Sequence, residues 1–112
     1  MFDRLVAPAL ADAAVARLRA DGVVPGAIVA WLGANSLDMI ATLVACERLG
    51  AVLLPLNARL APPELARIVG HAGAGHLVGT PAGEAAAAVR SALVPGPADG
   101  IEPGDVLLVY TS

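Results

Sequence analysis

The chain closes on Asp105-Val106-Leu107-Leu108-Val109-Tyr110-Thr111-Ser112, an apolar climb that delivers two adjacent hydroxyls. Hydroxyls at the carboxyl end of a parallel strand point into the crevice where open α/β sheets hold ligands. A glycine-rich continuation beyond them would turn backbone N–H groups toward a phosphate. Thr111 and Ser112 are therefore the candidate anion-binding residues, and the plain alternative is that they end a strand in solvent.

Other residues give less. His71 and His76 straddle a helix end and a strand start, with no further metal-type ligand beside them. A helix-end histidine meeting the negative dipole explains His71 better than a metal does, so no metal site is expected. Serine occurs only at positions 36, 91 and 112, never within G-x-S-x-G, so no serine nucleophile is assigned. The chain has no lysine, which excludes a Walker A loop and Schiff-base chemistry within these residues. Gly33-Ala34-Asn35-Ser36 links a strand to a helix but carries a single glycine, so helix capping by Asn35 or Ser36 is the favoured role. Cys46 lies in a helical apolar segment and is expected to pack in the core. No catalytic residue is assigned.

The elements that position these residues alternate. Leu10, Ala14 and Leu18 recur at helical spacing behind Pro8, with Gly22 as the stop. "AIVAWL" (27–32) is a continuous apolar run, as in a parallel strand covered on both faces. A helix apolar nearly all round then runs to about Leu49, which implies deep burial. "AVLLPL" (51–56) is a second strand, whose paired part is expected to end near Leu54 because Pro55 has no donor. Pro62 and Pro63 start a third helix with an inner stripe of Leu65, Ile68, Val69 and Ala72, ended by Gly73 or Gly75. "HLVGT" (76–80) is a third strand, Pro81 opens a fourth helix, 95–104 is a loop, and 105–110 is a fourth strand. This alternation specifies an α/β fold with helices on the faces of a mostly parallel sheet.

Composition narrows the function classes. Of 112 residues, 57% are hydrophobic and 15% charged, against about 25% charged in ordinary domains. So apolar a chain is expected either to have its faces covered by further segments or to self-associate through exposed apolar surface. No uncharged run approaches the ~20 apolar residues of a membrane span. The amino terminus has too short an apolar core for a secretory signal, so a cytoplasmic location is expected. Seven scattered arginines and a net charge of −3 exclude a nucleic-acid-binding stripe. A single cysteine rules out an intrachain disulfide.

Residues 33–80 carry a more specific signal. Gly50-Ala51-Val52, Pro55-Leu56-Asn57, Arg59-Leu60 and Glu64-Leu65 occur in that order, after Ala34-Asn35-Ser36 and ahead of Tyr110-Thr111-Ser112. This series resembles the N-terminal region of the adenylate-forming ligases, the AMP-forming acyl-CoA synthetases and their relatives. Their pattern reads "PNS", then "GAVxxPLNxRLxxxEL", then a phosphate loop "YTSGTTG". The resemblance covers roughly residues 17–112, with Ala34 replacing the proline and a shortened stretch before the final strand. It implies that residues 1–112 form part of a large N-terminal domain, stopping where the phosphate loop begins. It further implies ATP and magnesium as cofactors, a carboxylic acid and coenzyme A as partners, and a cradle role for Thr111 and Ser112. Asn57 is expected to organise the turn after the second strand. On this reading the isolated chain is inactive. The alternative is a non-catalytic α/β association module or a decayed gene product.

Overall fold

A computed structural model describes residues 7–34 and 36–94. The loop 95–104, the fourth strand 105–110 and the hydroxyls of Thr111 and Ser112 lie outside the described residues. Within them run α1 (Pro8–Ala20), β1 (Ile28–Leu32), α2 (Leu37–Leu49), β2 (Val52–Pro55), α3 (Pro62–Ala72), β3 (His76–Gly79) and α4 (Gly83–Ala92). Each boundary has a local cause. Ser36 accepts the Met39 N–H at 3.4 Å and caps α2, as expected. Prolines occupy the first turns of α1 and α3, where the missing N–H costs nothing. Gly50 and Gly73 close α2 and α3. Helix α4 starts at Gly83, two residues later than Pro81 suggested. The intervening Ala82 is extended and serves as the N-cap residue, so Pro81 belongs to the turn leading in.

The strands form one parallel sheet in the order β2-β1-β3. Period-two alternation splits the apolar residues into two cores. Val29, Trp31 and Leu53 join the cluster under α1 and α2. Ile28, Ala30, Leu32, Val52 and Leu54 join Leu65, Val69 and Val89 from α3 and α4 on the opposite face. Both faces being covered explains why "IVAWL" and "VLL" read as unbroken apolar runs. The inner stripe expected of α3 is present, with Leu65 and Val69 buried and Ile68 and Ala72 partly so. Helix α2 buries every residue from Ala41 to Cys46, in line with its all-round apolar sequence. The polar member of that run, Thr42, donates its hydroxyl to the Asp38 carbonyl at 2.8 Å.

One expectation fails at β2. Pairing does not stop at Leu54, because Pro55 lies opposite Trp31 and the Leu56 N–H donates to the Trp31 carbonyl at 2.8 Å. The reason is alternation. Val52 and Leu56 turn their N–H groups to β1, so Pro55 falls on the outward-facing position, where a donor is not needed. Beyond it, the Asn57 side chain accepts the Arg59 N–H at 2.9 Å, the turn-organising role expected of it.

Cys46 is fully buried on α2, and desolvation pushes its thiol from 9.0 up to about 12. In the unfolded chain the thiol ionises near its ordinary value, whereas the folded chain keeps it neutral. Folding stability is therefore expected to fall as pH rises between about 9 and 12, and urea midpoints across that window should drop less in Cys46→Ala.

Gly79 and Gly70 make contrasting predictions. Gly79 sits at φ 106, and a Cβ there would lie 2.6 Å from the Leu32 carbonyl oxygen. Gly79→Ala should cost about 2–4 kcal/mol through backbone strain and overlap. Gly70, on the exposed side of α3 with open space around it, should tolerate alanine and gain about 0.5–1 kcal/mol in helix propensity. Chemical denaturation of the two variants checks both signs.

Candidate functional site

The order β2-β1-β3 fixes where a site can form. From β1 the chain moves to one side through α2, and from β2 it returns past β1 through α3 on the opposite face. The loops leaving β1 and β3 therefore diverge, and a crevice opens at the carboxyl ends of these two strands. A cavity of about 320 Å³ occupies that position. Trp31 and Thr80 come from the strand ends, Ser36 and Asp38 from the start of α2, and Arg17 and Asp21 from α1.

Two close approaches shape it. Gly33 allows the β1 loop to meet the β3 loop, since a Cβ there would stand 2.8 Å from Thr80 Oγ1 and 3.2 Å from the Thr80 N. The Thr80 N–H is already committed, donating to the Leu32 carbonyl at 3.0 Å. Trp31 lies against both glycines, with Nε1 3.5 Å from the position of a Gly33 Cβ and Cδ2 3.3 Å from that of a Gly79 Cβ. Its ring is 5% exposed, and its Nε1 is the one buried side-chain nitrogen or oxygen without a partner among the described residues. Sequence reading missed Trp31, Thr80 and the wall formed by α1. The only available signal was the lone glycine after the first strand.

The crevice does not fit a triphosphate. Its charged lining is Arg17 against two carboxylates, Asp21 and Asp38. Nor is there a group of three His, Cys, Asp or Glu among the described residues that could hold a metal ion. Asn57 and Ser36 serve turns and caps, and Cys46 is core.

Comparison with known proteins then decides the family. The family model described as AMP-binding enzyme matches residues 8–111, nearly the whole chain. This chain belongs to the AMP-binding enzyme family. An indoleacetate–CoA ligase of Aromatoleum aromaticum is 53% identical over 55 residues, covering 49% of this chain and 11% of that protein. A fatty acyl CoA synthetase of Mycobacterium tuberculosis superposes with a TM-score of 0.64 at 29% identity, covering 91% of this chain and 20% of that one. An O-succinylbenzoate coenzyme A synthetase of Bacillus subtilis, in complex with ATP and magnesium, superposes with a TM-score of 0.61 at 27% identity over 65% of this chain and 20% of that one. The AMP-binding segment thus spans between a tenth and a fifth of these relatives. The relatives named here are CoA ligases and synthetases, one of them bound to ATP and magnesium.

The Gly33–Thr80 approach yields a test. Gly33→Ala should destabilise this AMP-binding segment by about 1–2 kcal/mol through crowding at Thr80. Thr80→Ala removes the nearest atom, so the double variant should recover part of that loss. A double-mutant cycle from denaturation midpoints measures the coupling.

Proposed function

We propose that residues 1–112 supply the first part of the N-terminal domain of an AMP-forming acid–thiol ligase. In the proposed reaction a carboxylate oxygen attacks the α-phosphorus of ATP. The acyl–oxygen–phosphorus bond forms as the bond to pyrophosphate breaks. The thiol of coenzyme A then attacks the acyl carbon, loses its proton, and AMP departs. Thr111 and Ser112 would contribute hydroxyls to the cradle around the ATP phosphates, and the three-layer α/β segment would hold the strand that delivers them. Magnesium, where bound, neutralises phosphate charge. The described residues offer it no ligand cluster, so no role in holding it is given to them.

The observation that carries this reading is the family match from residue 8 to residue 111, reaching the first hydroxyl. The crevice beside β1 and β3, with its mixed charges, supports keeping the nucleotide away from it and toward the later hydroxyls. The acyl group would be bound by segments outside these 112 residues, which carry no catalytic side chain of their own in this reading. A cytoplasmic location fits ligase chemistry that draws on ATP and coenzyme A.

ATP–pyrophosphate exchange tests the proposal with two proteins, the 112-residue chain and the product that continues in frame past Ser112. The chain alone should give no exchange above background with any carboxylic acid. The longer protein should exchange, and Thr111→Ala should lower its rate roughly a hundredfold, as loss of a transition-state hydrogen bond does. Exchange by the chain alone, or none by the longer protein across a broad acid panel, would overturn the reading. A stop codon directly after Ser112 would favour an association module instead.

A further inference from the structure

The two outer edges of the sheet differ in a way that the fold does not require. On β2, the outward positions are Leu53 and Pro55, because Val52 and Leu56 donate to β1. Pro55 has no N–H, so this edge is blunted against further pairing. On β3, Gly75 donates to the Ile28 carbonyl and Thr80 to that of Leu32, both at 3.0 Å. In a parallel ladder, alternate residues serve opposite neighbours. Because Ala27 and Trp31 accept from β2, β1 serves β3 through Ile28, Ala30 and Leu32, so His76, Val78 and Thr80 face β1. Leu77 and Gly79 therefore turn their N–H and C=O groups away from β1, and among the described residues no strand pairs with them and no proline interrupts them.

This open edge lies in a trough. The crevice already described runs along Leu77–Thr80 beneath Arg17 and Asp21 of the α1 end. A second cavity of about 390 Å³ continues from Asp21 along Gly75, His76 and Leu77 to Arg90 and Leu93 at the α4 end. Asp21 belongs to both. Together they follow β3 from Gly75 to Thr80, roughly 20 Å at the rise of a strand. Leu77 packs into one core and Val78 into the other, yet both residues are only half-buried. With both faces packed, the residual exposure enters through the edge.

We propose that this trough is a docking slot for residues 105–110 of the same chain, which enter as a parallel strand beside β3 and extend the order to β2-β1-β3-β4. The length matches, since Asp105 to Tyr110 is the six-residue stretch that the slot accommodates. The path matches too. The Val94 N–H donates to the Ala74 carbonyl at 2.7 Å, so the chain leaves α4 at the amino end of β3. A parallel neighbour must start at that end, and the ten residues 95–104 amply cover one strand spacing of about 4.8 Å. Handedness agrees, because α3 and α4 lie on one face and a step from β3 over α4 continues the sense of the step from β2 over α3. A second copy fits less well, since it would have to insert an edge between the overhanging ends of α1 and α4. One consequence rests on the ligase reading, though the docking does not. Thr111 and Ser112 would emerge beside Thr80, at the mouth of the β1–β3 crevice.

Amide hydrogen exchange of the full chain tests the slot. The Leu77 and Gly79 amides should be protected, and Leu108→Pro should speed their exchange at least about tenfold while the Val78 amide, facing β1, stays protected. A cysteine series adds a second readout, pairing His76→Cys in turn with Val106→Cys, Leu107→Cys and Leu108→Cys. Neighbouring strands place Cα atoms within disulfide range, so one pair should oxidise within a single chain. If the proline variant loses Val78 protection as well, the cysteine series decides. Unprotected Leu77 and Gly79 in the unsubstituted chain would overturn the proposal. Crosslinks found only between chains would also overturn it, in favour of a second copy. Neither measurement depends on ligase activity, so failure here is distinct from failure of the exchange assay.

Discussion

Strand β1 is paired along both edges and buried on both faces, and the rest of the segment is organised around it. Its residues are between 0 and 5% exposed. Each can be removed from water only because α1 and α2 cover one side and α3 and α4 the other. Burying a backbone this deeply is tolerable only when its polar groups are paired, and the parallel neighbours β2 and β3 supply those partners. The helices are held in turn by the side chains that β1 alternates between the two cores. Polar links between the helices add little by comparison. The Arg48–Asp12 pair, 3.0 Å long and largely exposed, ties α2 to α1 at the surface, where such pairs contribute about 0–1 kcal/mol.

Much of this was legible because the signals are local. Unbroken apolar runs announced two-sided burial. Ser36, Gly50, Gly73 and the paired prolines marked helix ends through backbone chemistry that needs no distant partner. The Pro55 expectation failed for an instructive reason. Lack of a donor is local, but which neighbour a residue faces depends on the sheet order, and no spacing in the sequence encodes that order. Misplacing the start of α4 was a smaller version of the same error, since a proline suits a first turn and an entering turn equally well.

The candidate site was the least legible part. Gly33, Thr80 and Trp31 meet because two loops separated by the whole β2–α3–β3 unit emerge side by side. Nothing in "WLGAN" or "VGTPA" hints at the other. The α1 wall likewise has no counterpart in any motif, because Arg17 and Asp21 read as ordinary helix-end residues. Conversely, the series that carries the resemblance, from Gly50-Ala51-Val52 to Tyr110-Thr111-Ser112, is made of short strings whose meaning depends on order and spacing over the whole segment. Family membership was thus easier to read than site geometry.

The indole of Trp31 carries one more implication. It is the single tryptophan of the chain, and it lies at the crevice wall with its N–H unpartnered. Emission excited at wavelengths that Tyr110 does not absorb therefore comes from one place, without the averaging that several indoles impose. A polar group arriving beside that ring changes the dielectric felt by the excited state. The wavelength of the emitted light is then a built-in gauge of how wet the gap between the first and third strands is.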